Sequence, residues 1–259
     1  MWRTGAPLVA TAAAMIIALP LFVMGLVLDD RTISGAAAWL KPVKFATSIA
    51  IYTLTLAWIF TWLPRWARMR TLVGWTTAVT LTLEMVLIAL QAARGQASHF
   101  NNATPFDALV FMAMGIAIVV NTLAGIAVAA ALWRERLPDR TLGAALRLGM
   151  SLTMIGAVGG GLMLGPTARQ QQEAPSGHRM PVVGGHSVGG LDGGRGLPLT
   201  RWSTEHGDLR VAHFVGFARR PGAASLRSPA RATRDRGKRP APLGADWRGE
   251  LRRAVRRSD

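Results

Sequence analysis

The 259-residue chain is half hydrophobic but only 17% charged, with no cysteine and a formal charge of +16. An ordinary soluble domain carries about 25% charged residues, so composition argues against a water-soluble core. The missing thiol excludes disulfides, thiolate metal sites, iron–sulfur clusters and cysteine nucleophiles, leaving His, Met, Asp and Glu as possible ligands. The charge is unevenly spread: 13 of the 30 basic residues lie in 218–259, beside 4 of the 14 acidic ones.

Five apolar blocks, about 7–28, 43–63, 72–93, 106–133 and 142–164, predict membrane-spanning helices. A stretch of about 20 apolar residues crosses the ~30 Å hydrocarbon layer at 1.5 Å per residue. The first block exceeds the 7–15 apolar residues of a signal peptide and reads as a retained helix, with Pro20 as a candidate kink. The fold class is therefore an all-α polytopic bundle in a lipid bilayer, with 1–165 as the transmembrane part. Residues 166–207 are polar and Gly/Pro-rich and read as an extracytoplasmic loop. Residues 208–217 open a sixth helix that is too short to span, and 218–259 read as a basic, disordered tail.

With the N-terminus inside, eight basic residues (Arg3, Arg65, Arg68, Arg70, Arg134, Arg136, Arg140 and Arg147) face the cytoplasm. Four (Arg31, Lys41, Lys44 and Arg94) face outward. Excess Lys and Arg mark cytoplasmic loops, so the expected location is the inner membrane with a cytoplasmic N-terminus. The five histidines, His99, His178, His186, His206 and His213, then lie at or near the outer face.

Several runs look familiar: Leu40-Lys-Pro-Val-Lys-Phe, Arg94-Gly-Gln-Ala-Ser-His-Phe-Asn, Thr104-Pro-Phe-Asp, Trp202-Ser-Thr-Glu-His-Gly-Asp-Leu-Arg and Val211-Ala-His-Phe-Val-Gly. Together they resemble an uncharacterised family of bacterial multipass inner-membrane proteins over residues 1–217. The resemblance implies the membrane fold and no particular activity. In such proteins the His-Phe-Val-Gly turn continues as an apolar helix opening with His-Ala, whereas here it breaks into Ala218-Arg-Arg-Pro-Gly. GC-rich codons for Ala-Arg-Arg-Pro-Gly-Ala, shifted by one base, permit His-Ala-Ala-Leu-Ala, so residues 218–259 are expected to be out of frame. The rival reading is a native tail binding anionic headgroups at roughly 1 kcal/mol per basic residue. Its one aromatic, Trp247, and its lack of helical period argue against specific nucleic-acid recognition.

Polar residues inside apolar blocks are the candidate site residues. Glu84, with Gln91 seven residues on and Asn121 in the next block, could form a proton or cation relay in a small proton-coupled transporter. The competing reading is a protonated Glu84 tying helices together through Asn121, Tyr52 or a threonine such as Thr80. His99 and His213 could ligate haem or a divalent metal, with His206 seven residues before His213. Ordinary hydrogen bonding is the simpler account, because no recognised ligand spacing is present. Gly156-x-x-x-Gly160 and Gly161-x-x-x-Gly165 predict close helix packing, within the monomer in preference to a dimer. The 184–196 glycines lack the Gly-Lys-Ser/Thr ending of a phosphate loop, and no Gly-x-Ser-x-Gly elbow accompanies the Ser, His and Asp of 186–213. Catalysis is not indicated, and no substrate is selected.

Overall fold

A computed structural model describes residues 5–218 except 174–179, 191, 193 and 199. The expectations for His178 and for the 218–259 tail beyond Ala218 lie outside the described residues.

Five helices are long and apolar enough to span a bilayer: α1 (Ala6–Leu28), α2 (Leu40–Phe60), α3 (Ala67–Ala93), α4 (Pro105–Arg134) and α5 (Arg140–Gly159). A 3₁₀ turn, Gly160–Met163, extends α5. The boundaries follow local chemistry. Pro7 starts α1 where no intrahelical donor is needed, and the chain leaves it at Asp29-Asp30. The side chain of Thr104 caps α4 through the Asp107 amide, with Pro105 next, and Asp139 caps α5 through the amides of Thr141 and Leu142. Helix α1 runs unbroken through Pro20.

Consecutive helices pack side by side in the order α1–α2–α3–α4–α5, and α1 also touches α3. The seams hold Leu8, Met15, Leu56, Phe60, Ile88, Met114, Leu132 and Leu146, all nearly inaccessible. The outward faces are equally apolar: Ile17 is 77% exposed, Leu28 73% and Leu123 61%. A helix that is hydrophobic all round belongs in lipid, where burial against protein and contact with acyl chains are both apolar environments. The chain is a polytopic membrane protein.

One end of the bundle carries the basic connectors near Arg65, Arg68, Arg134 and Arg136. The other carries 29–39, 94–104 and 164–208 and is called the loop end below. The polar, Gly/Pro-rich composition of 166–207 predicts a loop with no helix or strand. Instead the segment forms a cap with a six-residue helix α6 (Ala168–Glu173) and a two-stranded antiparallel pair, β3 (Ser187–Val188) with β4 (Gly207–Asp208). A second such pair, β1 (Thr32–Ile33) and β2 (Ala36–Ala37), turns between α1 and α2. Helix α6 starts at a capping box: Thr167 N donates to Gln170 Oε1 (2.9 Å) and Gln170 N to Thr167 Oγ1 (3.2 Å). The Asn102 amide donates to Pro181 O and the Val183 amide to Phe100 O, which ties the cap to the 94–104 connector. Gly184, at φ +98°, sits where a Cβ would lie 2.4 Å from Met163 O, so only glycine fits. Helix α7 (Leu209–Ala218) then descends against α5.

Candidate functional site

Three ionisable side chains from three segments meet at the loop end. Lys41 comes from the first turn of α2, Glu84 from the buried face of α3, and His99 from the connector after α3. Lys41 Nζ lies 3.0 Å from His99 Nδ1, and His99 Nε2 lies 3.5 Å from Glu84 Oε1. An ammonium has donors only, so it fixes Nδ1 as the acceptor and leaves the ring proton on Nε2, aimed at the carboxylate. The imidazole therefore bridges a cation and an anion through its two nitrogens. Ser98 Oγ, 3.2 Å from Nδ1, adds a second polar neighbour.

The surroundings are aromatic. Phe45, Phe100 and Phe111 ring His99 with centroids 6.1–6.2 Å away. Glu84 is 4% exposed, and its Oε2 is buried without a hydrogen-bond partner. Helix α1, which also touches α3, contributes no ionisable residue, so Lys41 and His99 are the charged or titratable groups brought to Glu84. Thr80 and Asn121, two of the partners expected from the sequence, make no hydrogen bond to Glu84. Thr80 back-bonds to Thr76 O within its own helix, and Asn121 Oδ1 is buried with no partner.

Burial, with the Lys41 ammonium beside it, pushes the His99 imidazole well below its ordinary range. Burial lowers His186 and His213 in the same direction. Each is neutral when folded, whereas the unfolded chain takes up protons below about pH 6.5, so stability holds above that pH and falls beneath it. The carboxylates act lower. Burial would raise Asp208, but bonds from Arg210 and the Ser203 amide hold it at about 2, so its contribution is lost only near pH 4 and below. The melting temperature in detergent should therefore drop between pH 7.5 and 5.5, and His99→Gln should flatten that slope. An unchanged slope would show that His99 is not the buried neutral base described.

Gln91 serves a second network. Asp107 Oδ1 accepts from Gln91 Nε2 (2.9 Å) and Arg94 Nη1 (2.7 Å), and Thr104 Oγ1 donates to Oδ2 (2.6 Å). Arg94 Nη1 also donates to Gln91 Oε1. This network clamps α3 to α4, and its anchor, Asp107, was absent from the sequence-derived candidates. Thr104-Pro-Phe-Asp has the capping-box spacing that could have revealed it.

The other candidate ligands are arranged separately. His213 Nδ1 donates to Gly156 O at 2.7 Å, over Gly160. His206 precedes β4, outside any helix, so the helical seven-residue spacing to His213 does not apply; its ring lies against Gly190. Among the described residues no three His, Asp or Glu side chains converge as a metal cluster. Both ring nitrogens of His99 are engaged by Lys41 and Glu84.

The chain matches no family model, no curated protein and no solved structure.

Proposed function

We propose that the protein is a proton-coupled carrier of a bacterial inner membrane, with a cytoplasmic N-terminus and the loop end outside. In this reading Glu84 binds the coupling proton, His99 passes it from the outer face, and Lys41 holds His99 in the tautomer that points toward Glu84. The carrying observation is the buried Glu84 carboxylate, joined through one imidazole to an ammonium at the membrane edge, with its second oxygen unpaired. A charged group inside a spanning segment costs several kcal/mol unless paired, which makes such a residue a functional candidate by default. The orientation rests on the basic residues gathered at the 61–70 and 134–147 end.

A haem or metal role for His99 and His213 has less support, because each ring already has protein partners. The test is proton uptake by proteoliposomes after an external pH jump, read with a trapped pH dye. Wild type should exceed protein-free vesicles, and Glu84→Gln should lose at least tenfold of that rate while inserting with unchanged helicity. Equal rates in the two proteins would overturn the reading.

A further inference from the structure

The buried face of α3 carries a polar residue every seventh position: Arg70, Thr77, Glu84 and Gln91. Seven residues advance about 10 Å along a helix, and the 21 from Arg70 to Gln91 advance about 31 Å. That distance matches the ~30 Å hydrocarbon layer. The line therefore crosses the whole membrane on a face turned away from lipid. Three of its four members keep an unpaired buried atom or a half-made set of bonds. Thr77 is 0% exposed and its Oγ1 has no partner, Glu84 Oε2 has none, and Arg70 Nε has none although its Nη1 donates to Phe60 O.

The facing helices answer at one level. The Gln91–Asp107 bond sets the antiparallel register of α3 and α4, and counting back fourteen residues on one and forward fourteen on the other places Asn121 level with Thr77. The Arg70–Phe60 bond sets α2 against α3 and likewise places Thr53 level with Thr77. Thr53 is 0% exposed and Asn121 7%, and Asn121 Oδ1 lacks a partner. The flanking buried positions are small: Gly74 and Ala78 on α3 and Ala117 on α4. Leaving a buried polar group unsatisfied costs about 1–3 kcal/mol, and unfilled hydrogen-bonding capacity beside small side chains is where internal water binds.

We infer that the α3–α4 seam holds bound water between Glu84 and the Thr77–Asn121 pair, and that this water carries the Glu84 proton toward the Arg70 end. The inference rests on the proton-binding role proposed for Glu84 in its second half only; the water site stands by itself. The chemistry balances without a co-reactant. A protonated Glu84 gives its proton to the first water, each water passes one on, and the threonine hydroxyl both accepts and donates. Arg70, half-exposed, ends the line at the basic surface, where solvent screens its charge.

The chain has no cysteine, so single-cysteine variants need no background changes. Thr77→Cys and Asn121→Cys should react with a small charged methanethiosulfonate at least tenfold faster than Leu123→Cys, which lies on the lipid-facing side of α4 at 61% exposure. Reaction no faster than at Leu123 would overturn the water site. For the proton path, Thr77→Val with Asn121→Leu should cut vesicle proton uptake at least tenfold, while Thr77→Ser retains it. If the double variant keeps full uptake and Glu84→Gln loses it, the path is wrong and the Glu84 reading survives. If Glu84→Gln keeps full uptake, the proton role fails and only the labelling result bears on the water.

Discussion

Replacing Asp107 by alanine should destabilise the bundle by about 3 kcal/mol, the cost of orphaning buried polar partners together with part of an ion pair. Asp107 is 2% exposed and receives side-chain bonds from Gln91, Arg94 and Thr104, so its deletion strands donors from three places at once. Gln91 is 0% exposed, and the other acceptor near its Nε2 is Ala97 O, a long 3.5 Å away. Arg94 retains its stack over Phe106, 4.5 Å from the ring centroid, and being 36% exposed it recovers solvent more easily. The loss should therefore fall mainly on Gln91 and on the first turn of α4. Asp107→Asn keeps an acceptor oxygen for one donor and should cost markedly less. Unfolding in mixed micelles measures both, and a change below about 0.5 kcal/mol for the alanine variant would mean that the clamp is solvated and weak.

The sequence disclosed the helices because lipid imposes one requirement over long stretches. Each block had to be apolar for about 20 residues, and observed ends differ from expected ones by at most five positions, three at Leu40 and five at Ala67. At two N-terminal ends the difference lies where basic residues continue a helix into the interface: Lys41 in α2, Arg68 and Arg70 in α3. Glu84 was legible for the same reason, since a lone carboxylate in an apolar block stands out. Its partners were not. Lys41 and His99 are 43 residues before and 15 after it, and nothing local says that the connector folds back over α3. The cap was missed differently. Its order comes from backbone bonds to 100–102 and from the Thr167–Gln170 capping box, a four-residue signal hidden among glycines and prolines. His206 shares no helix with His213, because the chain enters α7 only at Leu209.

The two glycine motifs at and beyond the end of α5 should respond differently to added side chains, which separates packing inside the chain from packing between copies. At Gly160 a Cβ would stand 2.9 Å from His213 Nδ1 and 3.0 Å from its Cε1, whereas Gly161 and Gly165 have nothing within 4 Å. Gly160→Val must push the imidazole away, break its bond to Gly156 O and leave both a desolvated ring nitrogen and a separated helix. The expected cost is about 2–3 kcal/mol, close to that of an overpacked core together with one lost buried hydrogen bond. Because α7 is short and docked chiefly on α5, the loss should appear as release of that helix: trypsin should cleave at Arg210 faster in folded protein, at a temperature where the rest of the bundle is intact. Gly161→Val should leave that cleavage unchanged. If Gly161→Val and Gly165→Val are silent in dilute micelles but weaken self-association at high protein concentration, the second motif packs between copies. If Gly160→Val leaves Arg210 as protected as in the wild type, the α5–α7 contact does not hold the last helix, and the fit of His213 against Gly160 is incidental to it.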